Sequence, residues 1–178
     1  GPGGYQDGLD ERPANQEVIL RNGFKWVSCR FDSTDLKNRD YVLASPAENV
    51  PYVYPTGLIE IPIQGYTDRS FFDNLLCENR QAYDGWRTEF GGTAVGKDWR
   101  APWTSDGAVE EWKVYNRQAI DYAYDNHLLY VPTWHPTTHY YHDRDNVCLR
   151  DLLSYAESRD EKVWVCTVRD AAELISLN

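Results

Sequence analysis

Residues 128–136 read LLYVPTWHP, and the fold turns on how this run is taken. Residues 128–134 form a near-continuous apolar stretch of strand length. The sequence predicts a strand buried on both faces there. His135 then stands at the strand's carboxyl end. Pro136 follows it, and the residue before a proline is pushed out of the α region, so His135 is extended or at most a helix N-cap. Upstream, residues 106–127 carry Val109, Trp112, Tyr115, Ala119, Tyr122 and Ala123 at helical spacing with charges between them. Downstream, NVCLRDLLSYAESRD predicts a helix with Leu149, Leu152, Leu153 and Ala156 on one side. KVWVCTV (162–168) predicts a second buried strand. TVRDAAELISLN closes as a helix, with Thr167 and Asp170 spaced as a capping box. Alternation of helix and strand implies parallel strands joined by crossover helices. Ligands in such α/β folds collect at the carboxyl ends of the strands, where His135 lies.

The earlier half is less regular. NQEVILRNGFKWVSCRF predicts a helix entered after Pro13, a stop at Gly23, and a strand over 24–31. Residues 32–57 are loop-rich, with Pro46, Pro51 and Pro55. LIEIPI (58–63) is a short strand that Pro62 places at an edge or end of its sheet. RSFFDNLLCENR (69–80) predicts a helix, and 81–106 read as irregular.

With 178 residues, 42% of them hydrophobic, the chain can fold as one domain spanning 1–178 with its own core. A net charge of −10 argues against nucleic acid and against anionic membrane surfaces, both of which need clustered Lys and Arg. No apolar run reaches transmembrane length. The four Cys (29, 77, 148, 166) contain no CxxC pair, so a zinc site built from them is disfavoured; Cys29 and Cys166 read as free, buried thiols. The 7 Trp and 13 Tyr suit either core packing or stacking on flat ligands such as sugar rings. The chain opens at Gly1 and has no Met, which reads either as a protease scar at GP or as a cut from a longer protein.

Four stretches carry possible chemistry. PTWHPTTHYYHDRD (132–145) holds His135, His139 and His142. The three can be a metal cluster, surface or packing residues, or a single functional histidine with two neighbours. Pro136 and the poor helix propensity of TTHYYHD weaken the metal reading, and His135 alone is preferred, imidazole being the default acid or base near neutral pH. GGTAVGKD (91–98) matches GxxxxGK. Asp98 replaces the Ser or Thr that would hold magnesium, which argues against a phosphate loop. FDSTDL (31–36) places Asp32 and Asp35 directly after a strand, a position open to catalysis or to ordinary loop capping. LIEIPIQGYTDR offers Glu60 and Asp68, for which a salt-bridged or exposed acid is the simpler reading.

Taken in order, these pieces resemble the later half of a polysaccharide deacetylase of the NodB-homology type, carbohydrate esterase family 4. GPGGY matches the tail of the family's third motif through Pro2, Gly4 and Tyr5. Asp32, Ser33, Thr34 and Asp35 match the fourth, with Leu36 where the family has Trp; Thr133, Trp134 and His135 match the fifth, with Thr where Leu is expected. VWVCTVRDAAELI is similar to the family's last strand and helix. The resemblance implies an α/β fold, the C-terminal part of a deformed (β/α) barrel of TIM-barrel-like form. It implies a metal-dependent hydrolase that removes acetyl groups from N-acetylated or O-acetylated sugar polymers. His135 would be the general acid and Asp32 the carboxylate that orients it. Tyr5, Leu36 and Trp134 would line the substrate. The motifs bearing the general base and the ligands of the divalent metal, zinc foremost, have no match here. The resemblance therefore implies an N-terminal half, carried elsewhere, that supplies them, and no metal bound by family ligands of this chain. The compartment is left open, an extracytoplasmic one being favoured. Two other readings stand beside it. One is a non-catalytic carbohydrate-binding or scaffold domain using Trp86, Trp99 or Trp103 as a platform; the other is an allantoinase-like hydrolase of a non-sugar amide.

Overall fold

Helix α1 (Pro13–Arg21) opens with proline in its first turn, where the missing N–H costs no hydrogen bond. It closes on Asn22 and then Gly23, whose φ of +84° is open to glycine and strained for other residues. In the computed structural model, residues 8–30, 50–65, 67, 68, 71, 108–159 and 163–176 are described. Strand β1 (Trp26–Val27) follows α1 and lies parallel to β3 (Ile59–Glu60), while β2 (Tyr52–Val53) pairs antiparallel with β3 on its other side. The order is thus β1-β3-β2. β3 is the central strand of this sheet, not an edge; Pro62 is tolerated because the bonds to the β1 side are made by the N–H groups of Ile61 and Ile63 on either side of it, so its missing N–H is not called on there. β2 lies within the stretch expected to be loop. It joins β3 through a tight turn in which Tyr54 and Leu58 share a backbone hydrogen bond and Gly57 sits at φ +89°.

Leu9, Val27, Cys29, Tyr54 and Leu58 are buried together between α1 and the sheet. Helix α2 (Ala108–Asp125) realises the predicted face: Trp112, Tyr115, Ala119 and Ala123 are buried. It packs on α4 (Val147–Arg159), tied by Arg117 to Asp151 and by the Tyr155 hydroxyl to Asp121 at 2.9 Å. On α4, Cys148, Leu152 and Ala156 face the core, whereas Leu149 and Leu153 are each 39% exposed, correcting the expected stripe. The inward face is set by contact with Ile120 of α2, which Leu152 and Ala156 reach. Leu152→Ala is accordingly expected to cost about 2–3 kcal/mol in urea unfolding, and Leu153→Ala well under about 1 kcal/mol.

Residues 128–134 pack toward both sides, as expected, although no strand ladder forms. Leu128 and Tyr130 meet Ala119 and Ala123 of α2, while Leu129 and Val131 meet Ile59, Ile61 and Ala172. This alternation is that of a strand, but each residue is half-buried. Backbone bonds to the neighbouring segment run from Gln64 to Val131 and from Asp68 to Thr133, four residues on one side against two on the other, which breaks regular register. Residues 163–166 depart further from expectation. They form no strand, and Trp164 and Val165 are 60% and 56% exposed. Helix α5 (Val168–Ile175) carries the predicted capping box, Thr167 and Asp170 each accepting from the other's backbone N–H.

TTHYYHD, expected to be a poor helix, forms the helix α3 (Pro136–His142). Pro136 pre-sets its first turn, and Thr138 and His139 gain burial that offsets weak propensity. Among the described residues, no helix is long and apolar enough to cross a membrane.

Candidate functional site

His135 is the N-cap of α3, with φ −100° and ψ 123°, the extended geometry that Pro136 demands. It thus sits where the 128–134 segment ends and α3 begins. The segment leaving β3 brings Asp68 to the same point. Asp68 is fully buried, and its backbone N–H bonds the Thr133 carbonyl at 3.3 Å. Its carboxylate then grips His135 twice: Oδ2 accepts from the backbone N–H at 2.7 Å, and Oδ1 lies 2.7 Å from ring Nδ1. Asp68 therefore clasps the chain on both sides of Trp134, by its own amide to Thr133 and by its side chain to His135.

A carboxylate accepts hydrogen bonds, so Nδ1 is the nitrogen that carries the proton facing Asp68. Nε2 has no hydrogen-bond partner among the described residues, and the side chain is 43% exposed. The imidazole is thus fixed at one nitrogen and open to a ligand at the other. A protonated ring here would form an ion pair with Asp68.

Beneath this pair lies His139, on the next turn of α3, its backbone N–H bonded to the His135 carbonyl at 3.1 Å. Its ring is buried and stacks on Trp134, with centroids 4.4 Å apart and planes 13° apart. Nε2 lies 3.7 Å from Asp68 Oδ2, and Nδ1 lies 3.6 Å from Asp143 Oδ2. Burial pushes the His139 pKa down, against the pull of both carboxylates. Asp143 in turn accepts the N–H groups of Val147 and Cys148 at the start of α4, 2.8 Å each. The four side chains form a row, His135–Asp68–His139–Asp143.

Trp134 is half-buried. Its indole also meets Trp112 at 6.1 Å, and it packs against the cluster of Phe71, Trp112, Tyr115 and Cys148. His142 lies in α3. Asp32, Tyr5 and Leu36 lie outside the described residues, as do Asp35 and the tryptophans of the expected sugar platform, Trp86, Trp99 and Trp103. Among the described residues, no three His, Cys, Asp or Glu side chains converge as a metal ion requires.

The sequence singled out His135 but left Asp68 as an ordinary acid. The signal was available: Asp68 follows a strand on its carboxyl side, the same reason that drew attention to Asp32. Glu60 is likewise neither exposed nor in an ordinary salt bridge. It is fully buried and accepts from the backbone N–H groups of Cys29 and Arg30, from the Tyr54 hydroxyl and from the Cys29 thiol. A separate apolar cavity of about 750 Å³ lies between α2, α4 and the 128–132 and 163–166 segments, and none of the His135 row lines it.

Comparison of the chain with protein-family models, with curated proteins and with solved structures finds no match to any of them.

Proposed function

We propose that this chain forms the general-acid side of a hydrolase that removes acetyl groups from N-acetylated or O-acetylated sugar polymers, within the C-terminal part of a (β/α) barrel. The observation that carries this reading is the pairing of His135 with buried Asp68, which leaves Nε2 as the ring's open nitrogen. In such a reaction the bond between the acetyl carbon and the leaving nitrogen or oxygen breaks. Nε2–H of His135 passes its proton to that leaving atom, and the ring remains neutral with Nδ1–H still on Asp68. The half-exposed ring and the fully buried carboxylate suit these roles: one partner meets substrate, the other keeps its tautomer and orientation. Trp134, beside the dyad, contributes apolar wall, together with Tyr5 and Leu36 by the family likeness. By the family likeness alone, Asp32 would be the carboxylate that orients His135; it lies outside the described residues.

A divalent metal, zinc by the same likeness, would supply an activated water when bound. Its ligands and the general base belong, on this reading, to an N-terminal half carried as a separate segment. The test is acetate release from N-acetylglucosamine oligomers by this chain joined to that half. His135→Ala is expected to lower kcat by about 10²–10⁴-fold with little change in KM. Undiminished release by that variant, or no release by the intact protein, would overturn the reading.

A further inference from the structure

The structure assigns a binding site to the cavity between α2 and α4, for a ligand that joins an apolar body to a cationic amine. The site is separate from the His135 row and does not rest on the hydrolase reading. The cavity measures about 750 Å³, within the range that takes a drug-sized molecule. Its walls are mostly apolar: Ile120 and Ala123 of α2, Leu152 and Ala156 of α4, and Leu128 and Val163 from the two extended segments. Tyr130 and Trp164 add aromatic surface. The Tyr130 hydroxyl is already bonded to Asn116 at 2.9 Å, so that ring presents its apolar part. Water held against such walls makes few hydrogen bonds, and an apolar group that displaces it gains.

The rim sets the sign of the ligand. α2 ends there, with Asp125 as its last residue. A helix C-terminus carries partial negative charge and favours a cation. α2 has the reverse: its last turn holds no basic residue, and it closes on a carboxylate. Asp125 is exposed, and its carboxylate has neither a hydrogen bond nor an ion pair among the described residues. Arg159 lies over the Tyr124 ring, but Asp121 holds it at 3.2 Å. His127 then stops the helix at φ +56°, a conformation where glycine is usual, and the Leu128 N–H returns to the Ala123 carbonyl at 2.8 Å. This turn carries the chain from the charged rim directly to the apolar wall at Leu128. An uncompensated negative rim thus borders an apolar space, in a chain whose net charge is −10. An amine head suits the first and its apolar body the second. The head also gains from the aromatic surface of Tyr124 and Trp164. A fatty acid or another anion would be repelled at the rim, and a neutral apolar molecule would leave the rim uncompensated.

The test uses three probes of nearly one shape: 4-phenylbutylamine, 4-phenylbutan-1-ol and 4-phenylbutanoate. Each is titrated into the ¹⁵N-labelled chain and followed by amide NMR. The amine should bind with a Kd of about 0.1–1 mM, its shifts gathered at residues 123–130 and 152–166. It should bind about three- to tenfold tighter than the alcohol, with the carboxylate weakest of the three. Asp125→Asn should bring amine and alcohol within about twofold of each other, and added salt should narrow the same gap. Leu153→Trp, at a partly exposed position that lines the cavity, should weaken amine and alcohol alike. The absence of saturable shifts at those amides by about 10 mM amine would overturn the assignment. So would an amine that binds no tighter than the alcohol, a preference that survives Asp125→Asn, or binding untouched by Leu153→Trp. None of these readouts uses acetate release, so they stand or fall apart from the hydrolase reading.

Discussion

On the proposed hydrolase reading, Asp68→Asn is expected to lower kcat for acetate release by about 10²–10⁴-fold while leaving KM within a few-fold. Asp68 is fully buried, so it is not a surface on which substrate can rest. Its work is done on His135, through the bonds to the backbone N–H and to Nδ1. Asparagine has nearly the same shape, but one of its two terminal atoms is a donor. If the amide oxygen keeps the backbone N–H, the NH₂ group is driven against Nδ1–H. The ring then moves its proton to Nε2 in the neutral form or rotates away. Either response takes the Nε2–H of His135 out of the orientation that proton donation needs. Two measurements separate this from simple unfolding. Circular dichroism should be near wild type, and KM should hold. A variant keeping more than about a third of the wild-type kcat would mean that Asp68 does not prepare His135 for proton transfer.

What could be read from the sequence was what depends on nearby residues. Pro136 dictates the backbone of His135, and the structure has that extended N-cap. The Thr167–Asp170 capping box and the buried face of α2 follow from spacings of three and four residues. The His135–Asp68 pair joins positions 67 residues apart, and no local pattern announces it. Helix α3 was missed for a related reason. Propensity disfavours TTHYYHD, but burying His139 against Trp134 and between two carboxylates is a tertiary gain that propensity does not contain. The run at 162–168 failed in the opposite direction. Its apolar character signals a strand only where other surfaces cover it, and Trp164 and Val165 stand exposed. Asp32, Tyr5 and Leu36 rest on the family likeness alone.

Glu60→Ala is expected to destabilise the fold by about 3–5 kcal/mol, a large share of the 5–15 kcal/mol typical of a domain. Glu60 occupies the central strand β3 with no exposure to solvent. Its Oε1 accepts from the Cys29 N–H at 2.9 Å and the Arg30 N–H at 3.0 Å. Its Oε2 accepts from the Tyr54 hydroxyl at 2.8 Å and the Cys29 thiol at 3.1 Å. The donors come from the chain just beyond β1 and from the turn after β2, so one side chain ties both flanking strands to the central one. Alanine would leave two backbone amides and a phenol without their acceptor, and each buried group so left costs about 1–3 kcal/mol. Glutamine keeps one acceptor oxygen and turns the other into a donor facing donors, so Glu60→Gln should fall between alanine and wild type. Denaturant unfolding of the two variants tests this. The order alanine below glutamine below wild type is expected, with an unchanged m-value. A loss under about 1 kcal/mol for Glu60→Ala would mean that water replaces the carboxylate at little cost. The consequence reaches the site as well. β3 continues through Ile61 and Ile63, whose N–H groups bond Val27 and Arg30, and on toward Asp68. Loosening β3 at Glu60 should therefore release the carboxylate paired with His135, and on the proposed hydrolase reading acetate release should fall in the same order as stability.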